Sequence, residues 1–116
     1  MSRIVLDSLT GIDGFIAAAL VDSESGLALA TQGTSIDLEL AAAGNTEVMS
    51  AKMKTMKMLG LKDTIEDMLI TLGTQYHLLR PLTKHEGLFL YAVLDKSKSN
   101  LALARRVLIE TERNLG

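Results

Sequence analysis

The sequence predicts an α/β fold of the α+β type, in which helices cover both faces of a five-stranded, mostly antiparallel sheet. Two runs, residues 15–21 and 88–94, are apolar at nearly every position. Side chains of a strand alternate between its two faces, so a strand stays apolar throughout only where both faces are covered. Between these runs, residues 36–59 lack proline and are rich in Ala, Leu, Met, Glu and Lys, which predicts a long helix.

The first predicted element is a short helix over residues 2–10. Ser2 can cap it and Gly11 can end it. Its apolar residues recur at helical spacing and are Ile4, Val5, Leu6 and Leu9.

A β-hairpin follows, with Phe15–Asp22 and residues 27–31 as its arms. Gly26 lies in the turn between them and can adopt the positive φ that a tight return needs. Hydroxyls in residues 33–35 are predicted to cap the long helix, and Gly60 is predicted to end it.

The second half of the chain predicts three strands and a closing helix. The strands are residues 66–72, residues 76–80 up to the single proline, Pro81, and Leu88–Asp95. If each hairpin pairs with itself and the two apolar strands are neighbours, the order is 2-1-5-4-3. The long helix then joins strands 2 and 3, and the terminal helices lie on the opposite face. The closing helix buries one face, which holds Leu101, Ala104, Leu108 and Leu115, and turns Arg105, Arg106, Glu110 and Arg113 outward.

Composition narrows the class of protein. The length predicts one domain over residues 1–116, and 47% hydrophobic against 22% charged residues predicts a folded chain. The net charge of −2 with scattered cations disfavours nucleic-acid binding. The chain has no cysteine and no apolar run long enough for a membrane span or signal peptide. We therefore expect a cytoplasmic protein without membrane insertion.

No motif predicts catalysis. The sequence contains no GxxxxGK[ST] phosphate loop, GxSxG elbow, HExxH pair or EF-hand loop. The two histidines, His77 and His85, fall in a strand and a turn without metal-ligand spacing. The prediction is a protein that is not an enzyme and that uses no metal or cofactor.

The long helix is apolar over a sector too wide for one buried stripe. Its polar side holds Glu39, Thr46, Glu47, Ser50, Lys54 and Lys57. Asn45 and Lys52 divide the rest into two rows. The methionine row consists of Leu38, Ala42, Met49, Met53 and Met56, and the second row of Leu40, Ala41, Gly44, Val48, Ala51, Met58 and Leu59. One row should pack on the sheet and the other on a second subunit, unless both belong to the core.

The order of elements resembles the roadblock/dynein light-chain family over the whole chain. The matching features are Gly14 before an apolar strand ending at Asp22, Gly26, the second strand Leu27-Ala28-Leu29-Ala30, a long Ala- and Met-rich helix, a strand ending at Gly73, and residues 88–94 before a closing helix. The resemblance implies homodimers, or heterodimers with a paralogous roadblock domain, that act as subunits of larger assemblies. In bacteria it implies partners or regulators of small Ras-like GTPases.

Two alternatives stay open at this point. A roadblock-type scaffold would bind its partner without changing nucleotide turnover. A PAS-type sensor shares the strand order, but it usually breaks its middle segment into several short helices and often lines a ligand cavity with large aromatic residues.

The sequence also predicts where contacts lie. The strand over residues 66–72 is an exposed edge, and unpaired edge backbone invites another strand. The predicted dimer interface joins this edge to the methionine row and contains Leu38, Ala42, Met49, Met53, Met56, Glu66, Met68 and Ile70. The predicted partner surface lies on the paired long helices and contains Glu47, Ser50, Lys54 and Lys57.

Overall fold

The structure, a computed structural model, describes residues 6–115. A 3₁₀ helix comes first, followed by two strands, a long helix, three strands and a closing helix. The bounds are Asp7–Gly11 for the 3₁₀ helix, β1 Phe15–Asp22, β2 Leu27–Gln32, α1 Leu38–Met58, β3 Met68–Thr71, β4 Gln75–Pro81, β5 Leu88–Asp95 and α2 Leu101–Asn114.

All five strands form one antiparallel sheet in the order β2-β1-β5-β4-β3. The predicted α+β fold and strand order are confirmed. The two apolar strands are neighbours, with Leu20 opposite Leu90, because only the centre of the sheet is covered on both faces. The edges are β2 and β3.

Each face of the sheet has its own core. On one face, α2 and the 3₁₀ helix cover Ala18, Leu20 and Leu90. On the other, α1 covers Ala19 and Val21 together with neighbouring side chains of β5. The small alanines of β1 allow both layers to approach closely, so the predicted three-layer arrangement is confirmed.

The ends of several elements differ from the prediction. The first predicted helix lies partly outside the described residues; its remainder, Asp7–Gly11, is a single 3₁₀ turn. Asp37, rather than a hydroxyl of residues 33–35, caps α1, because its carboxylate accepts from the Leu40 N–H at 3.1 Å. Gly33 instead has a structural role before α1. At φ +93° a Cβ there would lie 2.6 Å from the Ile16 carbonyl oxygen, so only glycine fits.

Strand β3 is shorter at both ends than the predicted 66–72, and arginines bind the two residues before it. Arg105 makes a bidentate ion pair with Asp67, with Nε–Oδ2 at 2.9 Å and Nη2–Oδ1 at 3.2 Å. Arg80 donates from Nη1 to the Glu66 carbonyl at 3.4 Å. Asp67 is thereby tied to α2 and Glu66 to β4, and the strand begins at Met68. Within residues 6–115, no helix is long and apolar enough to cross a membrane.

Candidate functional site

Helix α1 packs on the sheet through part of the methionine row. Leu38, Ala42 and Met49 are between 0% and 6% exposed and belong to the core beneath α1. The single subunit buries these three side chains by itself, and the dimer interface predicted from sequence stays a prediction. Both rows are apolar, and in the folded subunit Leu38, Ala42 and Met49 are the members that meet the sheet.

The second row is the one left open. Leu40 is 70% exposed, Val48 40% and Met58 78%, and Gly44 and Ala51 between them are also exposed. Alternating large and small residues at spacings of three and four form a surface that another helix can approach closely. The wide apolar sector of this 21-residue helix therefore consists of two rows, one packed on the sheet and the other in solvent.

One flank of the second row lies on the side of α1 that is turned toward β5. α1 lies over β1 and β2, with Ala43 next to Gly26 of the β1–β2 turn. On the other side of α1, Asn45 is close enough to the Tyr91 hydroxyl of β5 to lower its pKa, while its side-chain N–H donates to the Ala41 carbonyl at 2.9 Å. At about 100° per residue, Val48 lies beyond Asn45 on that same side. Val48 therefore lies on the flank of α1 toward β5, whereas Leu40 and Met58, about 160° from the buried Ala42, point into solvent.

The free edge β3 completes this surface. Met68 and Ile70 are half-buried against the core beneath α1, and Glu66 is exposed just before the strand. One side of β3 pairs with β4, so the backbone of its other side is open to another strand. In the strand order, the flank of α1 that carries Val48 is the one toward β5, β4 and β3.

The predicted partner residues form a continuous exposed strip. Glu47, Ser50, Lys54 and Lys57 are all exposed and follow one side of α1. The strip carries one carboxylate and two ammonium groups. Met53 and Met56, the remaining members of the methionine row, face a groove at the end of the sheet; Met53 is exposed and Met56 half-buried.

A polar chain crosses the sheet beneath α1. The Tyr91 hydroxyl lies 3.1 Å from His77 Nδ1, and His77 Nε2 lies 2.9 Å from the Gln75 side-chain oxygen. An amide oxygen can only accept, so Nε2 carries the proton and Nδ1 accepts from the Tyr91 hydroxyl. Burial raises the pKa of Tyr91, opposed by its hydrogen bond with Asn45, and burial lowers the pKa of His77.

We expect His77 to make folding stability depend on pH. Its folded pKa lies below the ordinary 6.5, so below pH 6.5 the unfolded chain binds more protons at this site. The contribution of neutral His77 to folding stability is fully present above pH 6.5 and is lost as the pH falls through the pKa of the folded state. The melting temperature of His77→Gln should therefore fall less than that of the wild type when the pH is lowered from about 7.5 to 5.5. Equal falls in melting temperature for the two proteins would contradict this role of His77.

A buried carboxylate that the sequence did not reveal joins α2 to the β4–β5 turn. Glu112 is 4% exposed and accepts from Arg80 Nε at 3.1 Å, the Thr83 N–H at 2.7 Å and the Thr83 hydroxyl at 2.8 Å. A fourth donor, the Lys84 N–H, lies at 3.4 Å. Burial pushes the pKa of Glu112 upward, but the donors from Thr83, Lys84 and Arg80 outweigh it and hold the pKa below its usual range.

The charged face predicted for α2 is only partly free. Arg106, Glu110 and Arg113 are exposed, whereas Arg105 is half-buried in its ion pair with Asp67. This corrects the prediction that Arg105 points into solvent. The sequence did not reveal this ion pair because its two residues are 38 positions apart, and a paired arginine has the same local sequence pattern as a solvated one.

Among residues 6–115, no three His, Asp or Glu side chains lie together as a metal site would require.

No protein-family model and no curated protein matches the sequence. Solved structures, in contrast, match it over almost its whole length. A roadblock/LC7 domain from Streptomyces avermitilis superposes with a TM-score of 0.82 at 13% identity, over 96% of this chain and 90% of that one. Myxococcus xanthus MglB gives 0.80 at 17% identity over 92% and 85%. An MglB structure with a tetrameric arrangement gives 0.79 at 17% identity over 97% and 82%.

By its architecture, the chain is an α+β domain with one open sheet and a long helix joining strands 2 and 3. More particularly, it has the roadblock/LC7 fold, as the resemblance in the sequence predicted.

Proposed function

We propose that this protein is a non-enzymatic, dimeric interaction module that acts as a partner or regulator of a small Ras-like GTPase. The observation that carries the dimer is the second row of α1, exposed beside the free edge β3. Exposed apolar surface of this kind marks contact sites in soluble proteins. The fold that the chain shares with roadblock/LC7 domains supports the same proposal.

A two-fold axis beside β3 would satisfy both features at once. Two β3 edges would pair into one continuous sheet, and the two α1 helices would meet along their second rows. Gly44 and Ala51 allow close approach, while Leu40, Val48 and Met58 supply apolar area. In this arrangement Met68 and Ile70 lie at the interface, as predicted, and β2 remains the outer edge of each subunit.

The GTPase partner is proposed from fold likeness, which is an analogy rather than a property of individual residues. The dimer would present the strip of Glu47, Ser50, Lys54 and Lys57 twice, once from each α1. A single asymmetric partner could rest across the two helices. A GTPase carries most of its own phosphate chemistry, so a roadblock partner would act by reshaping its switch loops.

A scaffold that leaves nucleotide turnover unchanged is the main alternative. The sensor alternative is disfavoured because α1 is one unbroken helix of 21 residues, whereas a PAS-type domain usually has several short helices there.

The test of this function is co-purification from the native cell, followed by nucleotide assays on any Ras-like protein recovered. Changed GTP hydrolysis or nucleotide release identifies a regulator, and binding without either change identifies a scaffold. Recovery of other partners only would contradict the GTPase proposal.

We expect the Lys54→Glu, Lys57→Glu double variant to slow association with that partner about tenfold, since rim charges act mainly on the association rate. Both residues are exposed, so the melting temperature should stay unchanged. The Arg106→Glu, Arg113→Glu variant on the exposed face of α2 is the matched control, since it reverses the same number of charges. Loss of binding in this control with full binding by the Lys54→Glu, Lys57→Glu variant would place the partner on α2.

A further inference from the structure

A groove of about 860 Å³ lies at the end of the sheet beneath the C-terminal half of α1. Its apolar lining comes from α1, from the segment between α1 and β3, and from the end of the β4–β5 hairpin. The main members are Met49, Met53, Met56, Leu61, Ile65 and Phe89. The groove crosses the ends of β4 and β5 and does not follow a free strand edge.

The walls of this groove suit a protein segment. Three methionines on successive turns of α1 face it, and Met53 and Leu61 are about half exposed, at 48% and 52%. Flexible, polarisable methionine side chains adapt to varied apolar partners. Because the groove offers side chains and not a strand edge, a segment that satisfies its own backbone hydrogen bonds, a helix, fits it best.

The rim selects the charge of the occupant. Asp63, Glu66 and Glu86 line it with exposed carboxylates, against the single exposed ammonium of Lys57. Arg80 also lines the groove, but its guanidinium is neutralised by Glu112 at 3.1 Å. The rim therefore has two more acidic than free basic groups. A second copy would bring the same carboxylates against these, and like charges disfavour that contact.

We propose that this groove is a docking site for an amphipathic helix of another protein, with its apolar face in the groove and lysine or arginine residues beside the rim. The apolar anchors of such a helix would replace water around Met53, Met56 and Leu61. Its cations would pair with Glu66 and Glu86. The groove is separate from the second row of α1, and its rim shares Lys57 with the proposed partner surface and includes Glu66 next to β3. The proposal itself needs neither a dimer nor a GTPase partner.

The test uses a fluorescent synthetic peptide of about 18 residues, with leucines at helical spacing on one face and lysines elsewhere. Fluorescence anisotropy at about 0.15 M salt should show saturable binding to the full chain. The Glu66→Lys, Glu86→Lys double variant should weaken binding about tenfold or more. The matched Glu39→Lys, Glu110→Lys variant alters the net charge equally on other surfaces and should bind within about twofold of the wild type.

Methionine methyl labelling locates the peptide independently of affinity. We expect the NMR signals of Met53 and Met56 to shift on binding, whereas that of Met58, on the second row, stays in place. Equal weakening by both charge variants would indicate bulk attraction only and would overturn the proposal. Shifts confined to Met58 would overturn it too. Dissociation of a dimer by Met53→Lys would show that a second copy occupies the groove instead.

Discussion

Replacing Glu112 by alanine should lower the free energy of unfolding by about 3 kcal/mol. The substitution leaves the Arg80 guanidinium half-buried without its counter-ion, and it removes the acceptor of the Thr83 N–H and hydroxyl. Breaking a buried pair from one side costs more than the pair contributes, since the remaining charge stays desolvated. Urea unfolding followed by circular dichroism measures the change.

The matched control is Glu110→Ala on the same helix. Glu110 is exposed, so its loss should change stability by no more than about 0.5 kcal/mol.

A second check of the role of Glu112 uses the pH dependence of stability. The pKa of Glu112 is held below its ordinary 4.5, so its contribution is complete above pH 4.5 and is lost as the pH falls through the folded pKa. Glu112→Ala should therefore lose less stability on acidification than the wild type, and equal acid sensitivity would contradict the role assigned to Glu112.

Replacing Val48 by lysine should weaken the proposed dimer by about 100-fold or more. Val48 lies in the second row and is exposed in the single subunit, so the charge costs little there. In the dimer, two-fold symmetry buries the new ammonium twice between helices. Sedimentation equilibrium should show dimers for the wild type and monomers for the variant at micromolar concentration, with similar circular dichroism spectra.

Met53→Lys is the comparison that separates the two rows of α1. Met53 is exposed to a similar degree but faces the groove, so this variant should keep the dimer. If Met53→Lys dissociated the dimer while Val48→Lys left it intact, the interface would lie on the methionine row instead. A wild-type protein that sediments as a monomer would remove the dimer proposal altogether.

The sequence was sufficient to predict the fold because the residues of each central strand themselves indicate that the strand is buried. Phe15–Asp22 and Leu88–Asp95 are apolar on both faces, and only neighbouring strands in the middle of a covered sheet can satisfy that. Short turns then pair each remaining strand with its neighbour in the chain. Strand order, the long helix and the buried face of α2 follow from these local patterns.

The rotation of α1 was decided by the tertiary structure alone. Periodicity places Met49 and Val48 in different rows, but both rows are apolar, and the pattern gives only relative angles around the helix axis. Contact with the sheet selects Met49 and leaves Val48 outside. The dimer interface and partner surface predicted from sequence stay predictions, with the methionine row now divided between the core and the groove.

The two ion pairs show the same limit. Glu112 and Arg80 are 32 residues apart, and Arg105 and Asp67 are 38 apart. In sequence each has the pattern of a solvated side chain on a helix or at the start of a strand. Local periodicity in the sequence is therefore enough to predict the layers and the order of the sheet. Which apolar row is buried and which charges are paired depends on contacts between residues far apart in the chain, so only the folded structure reveals them.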